Sequence, residues 1–200
     1  MTRLYLLRHG RVVLPDSKRR FIGSTDLPLS PEGSREAEAL GALLSGIPFD
    51  AVYASDLSRA VQTAKAVVRG GVKAEIRLEP QISEIDLGEW EGLEMEAVKN
   101  SRAEAFEARG LDFEGFRPPG GESFGDLAKR ALPFFDSLAA CPGSVLVVGH
   151  SGVFRALLAS VLGIPVRKTF LFGQDPCGLH VLSGQGGKLA VERLNWKPGI

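Results

Sequence analysis

The segment from Ser144 to Gly149 is an almost unbroken run of valine and leucine, and it constrains the fold more than any other part of the chain. A strand with one solvated face carries a polar residue at every second position, which this run does not. Strands of this kind are buried on both faces and occur mainly in parallel sheets covered by helices. The run therefore predicts an α/β fold with a largely parallel central sheet.

The rest of the chain alternates between short apolar runs and longer amphipathic segments, as strands and helices do in α/β proteins. Ser30 is a good N-cap and Pro31 suits the first helical position, so a helix is expected from there to Gly46. Further helices are predicted at Leu57–Val68, Glu94–Ala108, Glu122–Ala139 and Gly152–Leu162. Strands are predicted at Leu4–Leu7, Ala51–Tyr53, Glu75–Leu78, Ser144–Gly149, Gly178–Leu182 and Lys188–Arg193. Together these elements predict a three-layer α/β/α sandwich, in which Pro133 should bend its helix or mark a boundary.

Composition restricts the function classes. The chain has 200 residues, and its 24 Lys and Arg balance 24 Asp and Glu, which argues against a protein that binds nucleic acid through a basic surface. A hydrophobic fraction of 44% is that of a globular chain. The two cysteines, Cys141 and Cys177, lack the spacing of a zinc site or a disulfide framework.

A single domain over 1–200 is expected, with a helical insertion around 88–121, because no repeat or Pro-rich linker divides the chain. The apolar region Val145–Val166 contains His150, Ser151 and Arg155, so it is a poor membrane span. The opening apolar run is too short for a signal peptide, and we expect a cytoplasmic protein. The sequence does not indicate an oligomeric state.

Two of the three histidines follow predicted strands in the same way. His9 comes after Leu4–Leu7 and His150 comes after the buried valine run, and each lies beside a glycine-bearing turn. Ligands of open α/β sheets bind outside the carboxyl ends of the strands. If the two strands are neighbours, both imidazoles face one crevice; a lone histidine there would more often be a packed polar group.

Arginine and glutamate side chains supply the other candidate groups. Arg59 lies in the first turn of a predicted helix that Ser55 or Asp56 can cap, where a helix N-terminus and a guanidinium both favour an anion. Glu84 lies in an acidic stretch and is suited to proton transfer near such an anion. Spacing alone does not separate these roles from a solvated arginine and a solvated acidic loop.

These segments together resemble the histidine phosphatase superfamily, the phosphoglycerate-mutase-like enzymes. The resemblance covers nearly the whole chain and is highly specific as a combination. Its motifs are Leu6–Gly10 with Arg-His-Gly, Phe21–Ser30, Ser55–Ala64, Ser83–Gly92 and Gly149–Gly152. The acid-bearing loop is similar to the phosphatase type, and the stretch that begins Pro118-Pro119-Gly120-Gly121 resembles the α-ribazole phosphatases within the family.

The resemblance implies a role for each matching residue. His9 would be the nucleophile that takes the phosphoryl group, and Glu84 would protonate the leaving oxygen and then activate water. His150 would serve catalysis beside them. The transferring phosphate would be bound by Arg8, Arg59, His150 and Ser151. The reaction would be hydrolysis of a small phosphorylated metabolite, α-ribazole 5′-phosphate being one candidate, with no cofactor and no metal.

The chain departs from the family pattern after Arg-His-Gly. Many members continue with Glu-Thr and soon after with an Asn that contacts the phosphate, but here no Asn occurs before Asn100. The candidates for the missing contact are Arg20, Ser24 and Thr25. The same region is basic, and the cluster formed by Arg11, Lys18, Arg19 and Arg20 either attracts an acidic substrate or is a solvated loop.

Three other functions remain open. A phosphoglycerate mutase would use the same residues, although mutases tend to be longer and carry a different acid-bearing loop. A non-catalytic member of the fold would bind phosphate without a phosphorylated His9 intermediate. A metal-dependent hydrolase would need ligand spacings such as His-x-His, which the chain lacks.

Overall fold

A computed structural model describes residues 1–197 of the chain. The strands are β1 (Thr2–Arg8), β2 (Ala51–Ala54), β3 (Ile76–Leu78), β4 (Gly143–Gly149), β5 (Leu179–Gln185) and β6 (Lys188–Trp196). The α-helices are α1 (Pro31–Leu44), α2 (Ser58–Arg69), α3 (Met95–Ser101), α4 (Ala103–Leu111), α5 (Phe124–Ala139) and α6 (Ser151–Leu162). Short 3₁₀ helices lie at Pro80–Ile82, Gly88–Trp90 and Val166–Leu171.

The strands form one six-stranded sheet in the order β3-β2-β4-β1-β5-β6. The first four strands of that order are parallel, and β5 and β6 complete the sheet as antiparallel strands. Strands β1 and β4 pair from Thr2 and Gly143 to Arg8 and Gly149. Their carboxyl ends therefore lie side by side, as the site hypothesis requires.

Helices cover both faces of the sheet, which confirms the α/β fold and explains the apolar run in β4. Leu146 and Val148 belong to the core cluster that contains the buried faces of α1 and α2. Val147, between them, belongs to the opposite cluster, to which α5 and α6 contribute. Because both faces are buried, successive residues of β4 all need to be apolar.

The helical insertion differs from the expectation. The predicted helix over Glu94–Ala108 is two helices, α3 and α4, which meet at Arg102 in a non-helical conformation. Arg102 itself does not indicate a break, because arginine is a good helix former. Trp90 and Val98 of this segment belong to the same core cluster as α5 and α6.

Pro133 lies inside α5 and marks no boundary, so that alternative is wrong, and the bend stays a prediction. A proline inside a helix removes one backbone hydrogen bond. Here the helix continues through it, and the adjacent Phe134 and Phe135 are buried. Burial of that apolar face stabilises the helix against the lost hydrogen bond, since one large buried side chain contributes about 1.5–3 kcal/mol.

Candidate functional site

The two strand-end histidines lie next to each other. The ring centroids of His9 and His150 are 5.3 Å apart, with the ring planes tilted by 56°. Both residues are buried, and the His9 amide donates to the Gly149 carbonyl across the β1–β4 junction. The parallel pairing of the two strands thus gives the pair of imidazoles that the sequence pattern suggested.

His9 is held with one ring nitrogen available for reaction. Its Nδ1 lies 2.8 Å from the Gly10 carbonyl oxygen, and because a carbonyl only accepts, Nδ1 carries the proton. The lone pair is then on Nε2. Burial, with the nearby charges of Arg8 and Arg59, lowers the pKa of His9 to about 3, so the ring is neutral at physiological pH.

His150 makes the complementary contact through its other nitrogen. Its Nε2 lies 2.8 Å from the Ser55 hydroxyl oxygen, and its Nδ1 is buried without a partner among the described residues. Burial, with the nearby guanidinium charges of Arg59 and Arg8, lowers the pKa of His150 well below its ordinary value. Sequence reasoning assigned Ser55 only to helix capping and missed this contact.

Arg8 and Arg59 place two guanidinium groups beside the histidines. Arg8 Nη1 donates to the Gln174 carbonyl, and Arg59 Nη1 and Nη2 donate to the carbonyls of Thr25 and Gly23 at 2.7 and 2.6 Å. The Nε atoms of both arginines are buried and have no partner in residues 1–197. Desolvation lowers the pKa of each. Both are charged because a guanidinium is not deprotonated in proteins.

The segment that holds Arg59 is itself held by Glu91. The Glu91 carboxylate accepts from the amides of Gly23, Ser24 and Thr25 at 3.1, 2.7 and 3.2 Å, and from both hydroxyls of that segment. Burial raises the pKa of Glu91, but these hydrogen bonds outweigh it, and the pKa lies below its ordinary value. The hydroxyls of Ser24 and Thr25, predicted to contact substrate, thus bind Glu91 in this structure.

Glu84 lies at the N-terminus of α6. Its Oε2 accepts from the Gly152 amide at 3.0 Å and its Oε1 accepts from the Ile85 amide at 2.9 Å. A Cβ at position 152 would lie 2.3 Å from Glu84 Oε1, so only glycine permits this approach. Ser151, which was predicted to bind phosphate, is the first residue of α6 and is half-buried. The amide that follows it, that of Gly152, already donates to the Glu84 carboxylate.

The basic residues near the site are mostly neutralised. Arg20 pairs with Asp16 at 2.6 Å and with Glu94 at 3.3 Å, and it also donates to the Gly92 carbonyl. Lys18 pairs with Glu94 at 2.7 Å. Arg20 was predicted to supply the missing phosphate contact, but in this structure its guanidinium binds these neighbouring acidic and carbonyl groups instead.

The cap of α2 also differs from the prediction. Neither Ser55 nor Asp56 is the N-cap; that position is Leu57, which makes no side-chain cap. Instead the Asp26 carboxylate accepts from the Ser58 amide at 2.8 Å and from its hydroxyl at 2.7 Å. A capping residue 32 positions away in the chain leaves no local sequence signal.

Within residues 1–197, no cluster of three or more histidine, cysteine, aspartate and glutamate side chains could hold a metal ion. Nor does that part of the chain contain a helix long and apolar enough to span a bilayer. The arrangement offers a neutral nucleophilic imidazole, two guanidiniums, a second imidazole and a carboxyl group, which suits chemistry on a phosphate.

Comparison with known proteins identifies the family of this chain. A model of the histidine phosphatase superfamily (branch 1) matches residues 4–197. The chain is 30% identical over 175 residues to an adenosylcobalamin/α-ribazole phosphatase of Escherichia coli, covering 86% of this chain and 85% of that protein. It is 31% identical over 178 residues to a 2,3-bisphosphoglycerate-dependent phosphoglycerate mutase of Rhizobium etli, covering 84% of each. The crystal structure of an α-ribazole phosphatase from Shigella flexneri superposes with a TM-score of 0.85 at 27% identity, covering 97% of this chain and 96% of the other.

Proposed function

The chain belongs to branch 1 of the histidine phosphatase superfamily, and from that membership we propose that it is a phosphomonoester hydrolase acting through a phosphohistidine at His9. One observation carries the proposal: His9 presents a free Nε2 while its Nδ1 proton is bound to the Gly10 carbonyl. A neutral imidazole fixed in this tautomer is a competent nucleophile at neutral pH.

In the first step His9 Nε2 attacks the phosphorus of a bound monoester. The Nε2–P bond forms, the bond from phosphorus to the leaving oxygen breaks, and a proton from the Glu84 carboxyl passes to that oxygen. Arg8 and Arg59 neutralise charge on the phosphoryl oxygens, and the unpartnered Nδ1 of His150 is available to a third. Phosphoryl transfer depends mainly on such positioning and charge stabilisation.

In the second step a water molecule attacks the phosphohistidine. Glu84 takes a proton from the water, the new P–O bond forms, and the Nε2–P bond breaks to restore neutral His9 and release inorganic phosphate. The net reaction converts a phosphomonoester and water into an alcohol and phosphate. Both steps use the same carboxyl group, which is suited to this because amide contacts from Ile85 and Gly152 fix its orientation.

We propose α-ribazole 5′-phosphate as the substrate, and it is therefore the first one to test. The similarity to an α-ribazole phosphatase in sequence and to another in structure supports this choice. The similarity to a phosphoglycerate mutase keeps mutase activity as a second candidate. The two activities differ in the acceptor of the phosphoryl group, which is water in a phosphatase and a second hydroxyl of the substrate in a mutase.

The test is release of phosphate from a panel of monoesters, measured with a chelator present. The panel contains α-ribazole 5′-phosphate, phosphoserine, 3-phosphoglycerate and p-nitrophenyl phosphate. We expect phosphate release that resists the chelator and requires His9. The preferred substrate would show which kind of phosphatase within the family the chain is. Interconversion of phosphoglycerates without net release would favour the mutase, and neither reaction would favour a non-catalytic phosphate-binding protein.

A further inference from the structure

Gln174 is a buried residue that the mechanism above does not use. It is 7% exposed, and both Oε1 and Nε2 of its carboxamide are buried without a hydrogen-bond partner among residues 1–197. An unsatisfied buried polar group costs about 1–3 kcal/mol, so native proteins rarely keep one without a reason. A carboxamide with neither its donors nor its acceptor satisfied is an unusual residue to retain.

The loop that carries Gln174 is fixed directly on the catalytic strand. The Gln174 carbonyl accepts from Arg8 Nη1, and the Cys177 amide donates to the Arg8 carbonyl at 3.2 Å. On its other side, the Asp175 amide donates to Asn195 Oδ1 at 2.8 Å. The loop therefore keeps Gln174 at a constant position relative to Arg8 and His9.

His180 Nε2 in β5 is also buried without a partner among residues 1–197. Three further atoms in the same condition belong to the proposed phosphate site, and they are Arg8 Nε, Arg59 Nε and His150 Nδ1. All three are donors or able to donate, and a bound phosphoryl group supplies the acceptors that they lack. The Gln174 carboxamide is likewise buried without a partner in residues 1–197, and its backbone carbonyl accepts a hydrogen bond from Arg8. A phosphoryl oxygen bound beside Arg8 would be an acceptor for its Nε2–H groups.

We propose that Gln174 is a substrate-binding residue whose carboxamide Nε2 donates to a phosphoryl oxygen beside Arg8. The inference rests on the proposed phosphate site, which it completes. The carboxamide is a neutral donor held at a constant position by its loop. It therefore favours a phosphoryl oxygen at that position without adding a charge to the site.

Two substitutions separate this role from a structural one. Gln174→Met keeps the length of the side chain and removes both unsatisfied polar atoms. We expect an unchanged or higher melting temperature in phosphate-free buffer, together with affinity for inorganic phosphate at least about fivefold weaker by titration calorimetry. Gln174→Glu keeps the shape but places a negative charge near the phosphate, and we expect it to weaken that affinity more than Gln174→Met does.

Gln185→Met is the matched control, since Gln185 is exposed in β5, and it should change neither quantity. A loss of phosphate affinity smaller than about fivefold in the Gln174→Met protein would overturn the inference. So would a melting temperature several degrees lower, because it would show that the free protein satisfies the carboxamide internally. A Gln174→Glu protein that binds phosphate at least as well as Gln174→Met would overturn it too. If wild type itself neither binds phosphate nor turns over a monoester, the proposed function fails instead.

Discussion

His9 and His150 occupy equivalent places in the fold and are prepared for different chemistry. Each follows a buried parallel strand, each is buried, and each has a lowered pKa. The hydrogen bonds differ. His9 Nδ1 is bound to a carbonyl, which leaves a lone pair on Nε2. His150 Nε2 is instead bound to the Ser55 hydroxyl, and its Nδ1 has no partner in the described part of the chain.

The difference shows that strand position alone does not define a catalytic role. A carbonyl fixes the tautomer of its partner because it cannot donate, whereas a hydroxyl can donate or accept. If His9 acts as a nucleophile, it can therefore do so only through Nε2. His150 can become a donor to a phosphoryl oxygen when Ser55 donates to it. Substitutions at the two histidines and at their neighbours test that division of roles.

The largest effect should come from replacing the nucleophile. His9→Ala removes the atom that forms the covalent bond, so we expect kcat with any substrate to fall by at least about 10,000-fold. A steady-state phosphate-release assay measures this, and circular dichroism checks the fold. A variant with near-wild-type turnover would show that His9 is not the nucleophile.

His150→Ala should be less damaging than His9→Ala. Loss of one donor to the transition state typically lowers the rate by about 10²–10³-fold, and the covalent intermediate should still form. Rapid-quench measurement of phosphoenzyme and of turnover distinguishes the two histidines. If His150→Ala abolishes the phosphoenzyme while His9→Ala retains it, the assigned roles are reversed.

Gly152→Ala should act on the second histidine loop without touching either imidazole. The new Cβ would displace the Glu84 carboxylate, which it would otherwise approach to 2.3 Å. We expect about 10- to 100-fold lower kcat/KM with poor leaving groups and a smaller loss with p-nitrophenyl phosphate, which needs less protonation.

Glu84→Gln should show the same leaving-group dependence as Gly152→Ala, with a larger loss. Gly186→Ala, in the turn between β5 and β6, is a control for alanine at an open position, since apart from its chain neighbours no atom of residues 1–197 lies within 4 Å of a Cβ placed there. Its positive φ of 60° lowers stability but leaves the site intact. Equal losses on both substrates in Glu84→Gln would remove Glu84 from the acid role.

The smallest effect should be a dependence of the free energy of unfolding on pH. The pKa of folded His9 is about 3, below the ordinary 6.5, so under pH 6.5 the unfolded chain binds a proton that the folded chain does not. The free energy of unfolding should therefore decline as pH falls from 6.5 towards 3, by at most about 1.4 kcal/mol per pH unit for each such histidine. Urea unfolding at several pH values measures this, and His9→Asn should decline less steeply. Nitrogen NMR showing His9 titrating near pH 6.5 would contradict the account.

The sequence predicted the parts of the fold that repeat a local pattern. The β4 run indicated a covered parallel sheet because burial on two faces appears as uninterrupted apolar residues. Strand-histidine-glycine order indicated that His9 and His150 would meet. Those inferences are strong because the period and position of residues are visible within a few residues of one another.

The interactions that fix the site are not local and left no such signal. Asp26 caps α2, Ser55 binds His150, and Glu91 holds the segment that binds Arg59. Each joins residues that are far apart in the chain, so only the folded structure shows the pairing. The break at Arg102 was missed for a different reason, because arginine is a good helix former and the lower helix propensities of Asn100 and Ser101 are too small to predict a helix end by themselves.

The central claim is that His9 carries the phosphoryl group on Nε2. The direct measurement is to mix enzyme with ³²P-labelled substrate, quench in alkali within milliseconds, and locate the label by peptide mapping and phosphorus NMR. We predict acid-labile, alkali-stable label on Nε2 of His9, forming and decaying at rates consistent with turnover. Label on His150, label on His9 Nδ1, or turnover without any phosphohistidine would contradict the account.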